Sequence, residues 1–190
     1  MGERSKKPRI AVMRWGHRFR DQRVTTHVAL VARAFGTSEF ILTDIKDEEV
    51  RATVEKIVAS WGGRFHFEMG KPWKLVVKKW RDNGGSIVHL TAYGENIETS
   101  DVLKRIKTCG KDVLVIVGSQ KVPKEFYSPD VSDFNVAVGS QPHSEISSLA
   151  VFLDRFYEGK ELAHEFKGAR MRIMPQKSGK KVVKLGISLI

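Results

Sequence analysis

Short apolar runs alternate with longer amphipathic stretches from Arg9 to Phe166. Runs of strand length occur at "RIAVMR" (9–14), "EFILTDI" (39–45), "RFHFE" (64–68), "SIVHLTAYG" (86–94), "DVLVIVG" (112–118) and "DFNVAVG" (133–139). The fifth is apolar at every position between Asp112 and Gly118, as expected of a strand covered on both faces of a parallel sheet. In the intervening segments the apolar residues recur at helical spacing. "TTHVALVARAF" sets Val28, Val31, Ala32 and Phe35 on one stripe, with Thr25 or Thr26 as a cap and Gly36 as a stop. "KDEEVRATVEKIVASWGG" has an acidic first turn, a stripe of Val50, Val54, Ile57, Val58 and Trp61, and a terminal glycine pair. "KPWKLVVKKWRDNGG" opens on Pro72 and closes on Gly84-Gly85, and "ETSDVLKRIKTCG" offers Thr99 and Ser100 as caps. Strands alternating in this way with helices predict an α/β domain built on a mainly parallel sheet.

The last helical pattern, "SEISSLAVFLDRFYEGKELAHEF" (144–166), carries Ile146, Leu149, Ala150, Leu153, Phe156 and Tyr157 on one stripe, while Val151 and Phe152 fall off it. A helix apolar on more than one side is either deeply buried or packs on the sheet with one face and on another subunit with the other, and on the second possibility a homodimer is expected. "ARMRIMPQKSGKKVVKL" (169–185) reads as a basic β-hairpin turning at Lys177-Ser178-Gly179. The division expected is therefore a main domain over 1–168 and a hairpin extension over 169–190.

Charge narrows the choice of partner. The 190 residues carry a formal net charge of +11. The excess is concentrated at the two ends: eight basic residues lie between Arg4 and Arg23, and seven, with no acidic residue, follow Phe166. A balance so far from neutral points to a polyanion, and nucleic acid is the expected partner. Hydrophobic residues at 41% and charged residues at 29% are ordinary for a globular protein. No apolar run reaches the roughly 18 residues that span a bilayer, and the basic start "MGERSKKPRI" lacks a following apolar core. A cytoplasmic protein without a membrane segment is expected. Cys109 is the single cysteine and the six histidines show no ligand spacing on a common face, so no metal site is expected either.

The chemistry is carried by a repeat. Val117-Gly118-Ser119-Gln120 closes the fifth strand, and the same four residues return at Val138 to Gln141 after the sixth. A strand running into Gly-Ser-Gln has reached the carboxyl edge of its sheet, where open α/β folds bind ligands. Together with the end of "HLTAYG", two such loops would place three strand ends around one pocket offering exposed backbone and little charge, which suits a neutral aromatic group such as adenine. No G-x-G-x-x-G follows the first strand, and "TCGKD" lacks both the upstream glycine and the Ser/Thr of a phosphate-binding loop. Classical dinucleotide binding and ATP hydrolysis are thereby disfavoured.

"MRWGHR", "RVTTHVALVARAFG", "HLTAYG", "VIVGSQKVP" and "NVAVGSQPHSEISSLAVFLDR", in this order, resemble the archaeal tRNA cytidine-56 2′-O-methyltransferases of the SPOUT superfamily. The resemblance covers nearly the whole chain. It implies S-adenosylmethionine (SAM) as methyl donor, ribose methylation in the tRNA T-loop, a homodimer, and a deep trefoil knot in the C-terminal half, which chain topology in general makes rare. It places donor binding at Leu90, at Gly118, Ser119, Gln120, Lys121 and Val122, and at Val136, Ala137, Val138, Gly139, Ser140, Gln141, Pro142 and His143. Two alternatives remain: a basic RNA-binding protein with an inactive pocket of this kind, and a base methyltransferase of the same superfamily.

For the transfer itself, related ribose methyltransferases carry an Asn and an Arg in a first motif ending in Ala-Phe-Gly, as "ARAFG" does here. A gapless alignment puts Val24 and Leu30 at those two positions, so the catalytic group must come from elsewhere. Arg23 is the leading candidate, to position phosphate and stabilise the forming oxyanion, with Arg18, His27 and Arg33 behind it. His27 has the side chain suited to a base. Asn135, Ser147 and Glu145 are weaker candidates, the last expected as a first-turn partner of the helix dipole.

Overall fold

The computed structural model describes residues 8–119 and 121–185. Among them, six strands form one sheet in the order β3-β2-β1-β5-β4-β6: β1 Ile10–Arg14, β2 Glu39–Leu42, β3 His66–Met69, β4 Ser86–Asn96, β5 Val113–Val117 and β6 Phe134–Ala137. Every pairing in it is parallel. Chain order therefore runs outward from β1 through β2 to β3, then crosses to the far side, so that the carboxyl ends of β1, β5, β4 and β6 lie side by side.

Helices α1 (Gln22–Ala34), α2 (Glu48–Trp61), α4 (Val102–Thr108) and α5 (Glu145–Tyr157) cover one face. Helix α3 (Trp73–Asp82) and a 3-10 turn at Lys124–Tyr127 cover the other. Strand alternation feeds both layers, since Ile10 and Val12 join the core under α1 and α5 while Ala11 and Met13 face Trp80 and Phe126. The all-apolar β5 is buried along its whole length, as its sequence predicts. Helix α2 starts where it does because the Asp47 carboxylate accepts hydrogen bonds from the Glu49 and Val50 amides at 3.1 Å. At α4, Ser100 Oγ accepts from the Val102 amide at 3.3 Å, and the helix begins two residues after it.

One expectation is corrected. The helix predicted over 144–166 ends at Tyr157: Glu158 (φ 61°) and Gly159 (φ 72°) are both left-handed, and the chain continues as a 3-10 turn at Lys160–Ala163. The second apolar side of α5 is largely covered within the chain, because α5 lies along α1 and Phe152 shares a fully buried core with Val28, Ala29 and Ala32. Val151 stays 38% exposed.

The C-terminal hairpin pairs β7 (Met171–Ile173) antiparallel with β8 (Val182–Lys184). It is anchored at the end of α2, where the Gly63 amide donates to the Lys167 carbonyl and the Arg170 amide to the Ser60 carbonyl, each at 2.9 Å. Arg33 belongs to this anchor. Its guanidinium donates to the Trp61 and Gly62 carbonyls at 2.8 and 2.7 Å and lies 4.5 Å over the Phe166 ring. The side chain closes the open C-terminal carbonyls of α2, and burial lowers its pKa.

Candidate active site

The carboxyl ends of β5, β4 and β6 meet around a cavity of about 320 Å³. Its walls include Leu90 and Tyr93 from β4, Gly118, Ser119 and Val122 after β5, Val138 and Gln141 to His143 after β6, and Glu145 and Ser148 from the start of α5. Both Gly-Ser-Gln loops thus reach one cavity. Val136 and Ala137 lie buried beneath it in β6, while Gly139 and Ser140 are exposed at the tip of the second loop. Gln120 lies outside the described residues, as do Arg4, Lys6 and Lys7 of the basic N-terminus.

Each wall is held by short-range chemistry. Gly139 adopts φ 75°, and His143 Nε2 closes the loop on the Val138 carbonyl at 2.6 Å. Ser144 caps α5 by accepting from the Ser147 amide at 3.2 Å, which fixes the helix start against the cavity. On the first loop, the Trp15 amide donates to the Val117 carbonyl at 3.1 Å. Arg14, the last residue of β1, is 1% exposed and ties the two walls together: Nη1 donates to the Gly118 carbonyl at 2.5 Å and Nη2 to Glu145 Oε1 at 3.0 Å. Burial pulls the Arg14 pKa down while Glu145 pulls it back. Glu145, expected only as a dipole partner, is therefore also a wall residue with a buried guanidinium behind it. His89, beneath the cavity, bonds Asn135 Oδ1 through Nδ1 at 3.0 Å, and burial holds its pKa below the ordinary imidazole value.

A second recess of about 430 Å³ shares Ser119 with the first and is lined by Trp15 to Arg18 and by Lys121. Arg18 donates to Asp21 Oδ2 at 2.9 Å. Behind this recess His17 is buried between Thr25 Oγ1 (2.8 Å) and Asp47 Oδ2 (3.0 Å), which joins the loop after β1 to the first turn of α1 and the start of α2. Burial alone would raise the Asp47 pKa; bonds from the Val50 amide, Gln22 and His17 outweigh it and hold the carboxyl below its ordinary value. Arg23 and His27 are exposed, one turn apart on α1, and line neither cavity. Arg33, at the far end of α1, is about 15 Å along the helix from Arg23. The structure does not bring it to the site.

The sequence shows no metal-ligand spacing, yet register alone brings one such group together. Glu39 pairs with His66 across β2 and β3, and Glu68 follows two residues on, with their ligand atoms within 4.8 Å of one another. The group stands toward the amino edge of the sheet, opposite the cavity, and Lys71 pairs with Glu68.

Residues 61–183 match the family model described as tRNA ribose 2′-O-methyltransferase, aTrm56. The chain belongs to this family. The tRNA (cytidine(56)-2′-O)-methyltransferase of Thermococcus kodakarensis is 51% identical over 180 residues, covering 93% of this chain and 97% of the relative. The enzyme of the same name from Staphylothermus marinus is 50% identical over 178 residues, covering 93% and 94%. Among solved structures, the SpoU methyltransferase AviRb from Streptomyces viridochromogenes in complex with AdoMet is similar with TM-score 0.59 at 13% identity, covering 82% of this chain and 59% of that one. The A. aeolicus TrmH/SpoU tRNA modifying enzyme is similar with TM-score 0.56 at 13% identity, covering 86% of this chain and 83% of that one. These likenesses show the fold, and the α/β architecture of the family is the one seen here. Among the described residues no helix is long and apolar enough to cross a membrane.

Sequence reasoning missed Tyr93, Tyr127 and the wall role of Glu145. Tyr93 carried a signal, as the last side chain before the glycine of "HLTAYG". Tyr127 reaches the site only because the 3-10 turn folds back beside β4.

Proposed function

We propose that the protein methylates the ribose 2′-oxygen of cytidine 56 in the T-loop of tRNA, with SAM as donor. What carries the reading is the convergence of three neighbouring strand ends on one cavity with a cationic recess beside it. The cavity suits the donor: no Lys or Arg lines it among the described residues, and Glu145 supplies a carboxylate. When bound, SAM supplies an electrophilic methyl group on a cationic sulfonium. Leu90, the Gly118 to Val122 loop and the Val136 to His143 segment would hold it, largely through backbone groups, and Arg14 keeps both walls in register. The recess with Arg18 and Lys121 suits RNA phosphate.

Arg23 is proposed to orient the backbone of the RNA and to stabilise charge growing on the 2′-oxygen, with His27 one turn away to accept its proton. Both point to solvent, so a homodimer that brings a second protomer to the cavity completes this reading. The exposed apolar side chains Phe19 (67%), Val151 and Leu162 (71%) support such an assembly. The trefoil knot belongs to the same proposal and is supported by the path of the chain, which leaves β5, crosses β4 to place β6 on its far side, and returns as α5 to α1. So does a division into a catalytic domain over 1–168 and a hairpin extension, and a place in the cytoplasm, where tRNA is.

The test is incubation with labelled SAM and unmodified tRNA, followed by mapping of the modified nucleotide. A methyl on the base, or on another nucleotide, overturns the proposed reaction. Arg23→Ala should keep SAM binding, measured by calorimetry, and lose transfer.

A further inference from the structure

Tyr93 is 86% exposed at the mouth of the cavity whose wall it helps to form. Its position comes from the main chain. Strand β4 pairs with β6 as far as Leu90↔Val136 and resumes at Glu95↔Val136, so residues 91–94 are extruded as a bulge. A bulge at a sheet edge re-aims a side chain that regular pairing would have turned inward or buried. The bulge is pinned at its end by Gly94, where a β-carbon would stand 2.5 Å from the Asn135 and Val136 backbone, and at its start by the Tyr93 amide donating to Thr91 Oγ1 at 3.3 Å.

Behind Tyr93 stands a row of rings. Tyr127, 39% exposed, meets Tyr93 edge to face at 6.4 Å and His89 at 5.1 Å, and His89 in turn is buried against Phe126 at 5.5 Å. Among the described residues the Tyr93 ring meets no ring other than Tyr127 and no cation. Beside the cavity, the recess with Arg18 and Lys121 offers charge to phosphate. Aromatic faces on one side of a site and cations on the other are how proteins hold unpaired nucleotides: the rings take bases and the cations take the chain.

We propose that Tyr93, backed by Tyr127, is a stacking platform for an unpaired nucleobase of the substrate RNA. The proposal rests on the methyltransferase reading above and adds a base-binding subsite to it. Because the ring is exposed, it can be removed without opening the core.

Full-length wild type, Tyr93→Ala and Tyr93→Phe are compared with unmodified tRNA transcript by steady-state kinetics, with SAM by calorimetry, and by light scattering. Tyr93→Ala should raise KM for tRNA about 5- to 150-fold, the range spanned by base–aromatic stacking, and Tyr93→Phe should stay within about twofold of wild type. SAM affinity and molecular mass should not change. An unchanged KM in Tyr93→Ala overturns the proposal. So does a parallel loss of SAM affinity, which would put the ring on the donor, or a change in mass, which would put it between protomers. A wild-type protein that methylates no tRNA would instead remove the functional reading itself.

Discussion

Gly94→Ala tests the seam on which the site is built. The added methyl would stand 2.5 Å from the carbonyl carbon and oxygen of Asn135 and from the Val136 nitrogen. Carbon contacts settle near 3.5–4.0 Å, so β4 and β6 must part by about 1 Å. No side chain can rotate to relieve this, because all three atoms are main chain. The strain falls beside the Ile97 amide to Ala137 carbonyl bond (2.9 Å) and on the pairing that resumes at Glu95. Overpacking of this kind costs about 1–3 kcal/mol, which for a chain of this size lowers Tm by about 2–12 °C. The same displacement moves Tyr93 and the Val138 loop, so SAM affinity should fall with stability. Thermal unfolding by circular dichroism and calorimetry with SAM measure the two. A variant with wild-type Tm and wild-type SAM affinity would refute the close approach of β4 and β6 and the cavity shape that depends on it.

Gly118→Ala differs because its methyl would meet only the Val122 side chain; it should weaken SAM binding, and Val122→Ala in the same chain should recover about 1 kcal/mol of the loss in a double-mutant cycle. Glu161 is buried at 7% exposure, and both carboxylate oxygens lack a hydrogen-bond partner among the described residues. Burial raises its pKa, with Asp154 adding to the rise. The folded state thus prefers the protonated acid: below the ordinary carboxylate pKa there is no penalty, and stability is lost as pH climbs through the raised value. Glu161→Gln should accordingly raise Tm by about 2–4 °C at neutral pH and leave it unchanged near pH 4, as read by thermal melts at the two pH values. His17→Ala leaves Thr25 and Asp47 without their buried partner and should cost about 2–4 kcal/mol in urea unfolding. Asp47→Asn keeps the α2 cap and should cost less; equal losses would contradict the hub role of His17.

Much of the fold was legible because burial imposes periodicity. Val113 to Val117 could only be a strand covered on both faces, and the strand–helix alternation left a parallel sheet as the economical solution. The end of α5 was not legible. Its apolar spacing continues past Tyr157, whereas the break depends on two residues in left-handed conformation, one of them Glu158, whose type does not announce it. Arg33 shows the limit for single residues: its place in a helix near "AFG" invited a catalytic role, while its partners, Trp61, Gly62 and Phe166, lie far along the chain.

Local pattern was enough to name strands, helices, loops rich in glycine at strand ends, and a partner that is a polyanion, since these follow from periodicity, turn chemistry and charge. Which loops share a cavity was decided by strand order, because the chain leaving β5 crosses β4 and lays β6 on its far side, so that both Gly-Ser-Gln turns border the end of β4. The burial of Arg14 between Gly118 and Glu145, the ejection of Tyr93 and the burial of Glu161 were likewise settled only by packing. Each depends on contacts between residues distant in sequence, and no spacing along a chain encodes a distance across it.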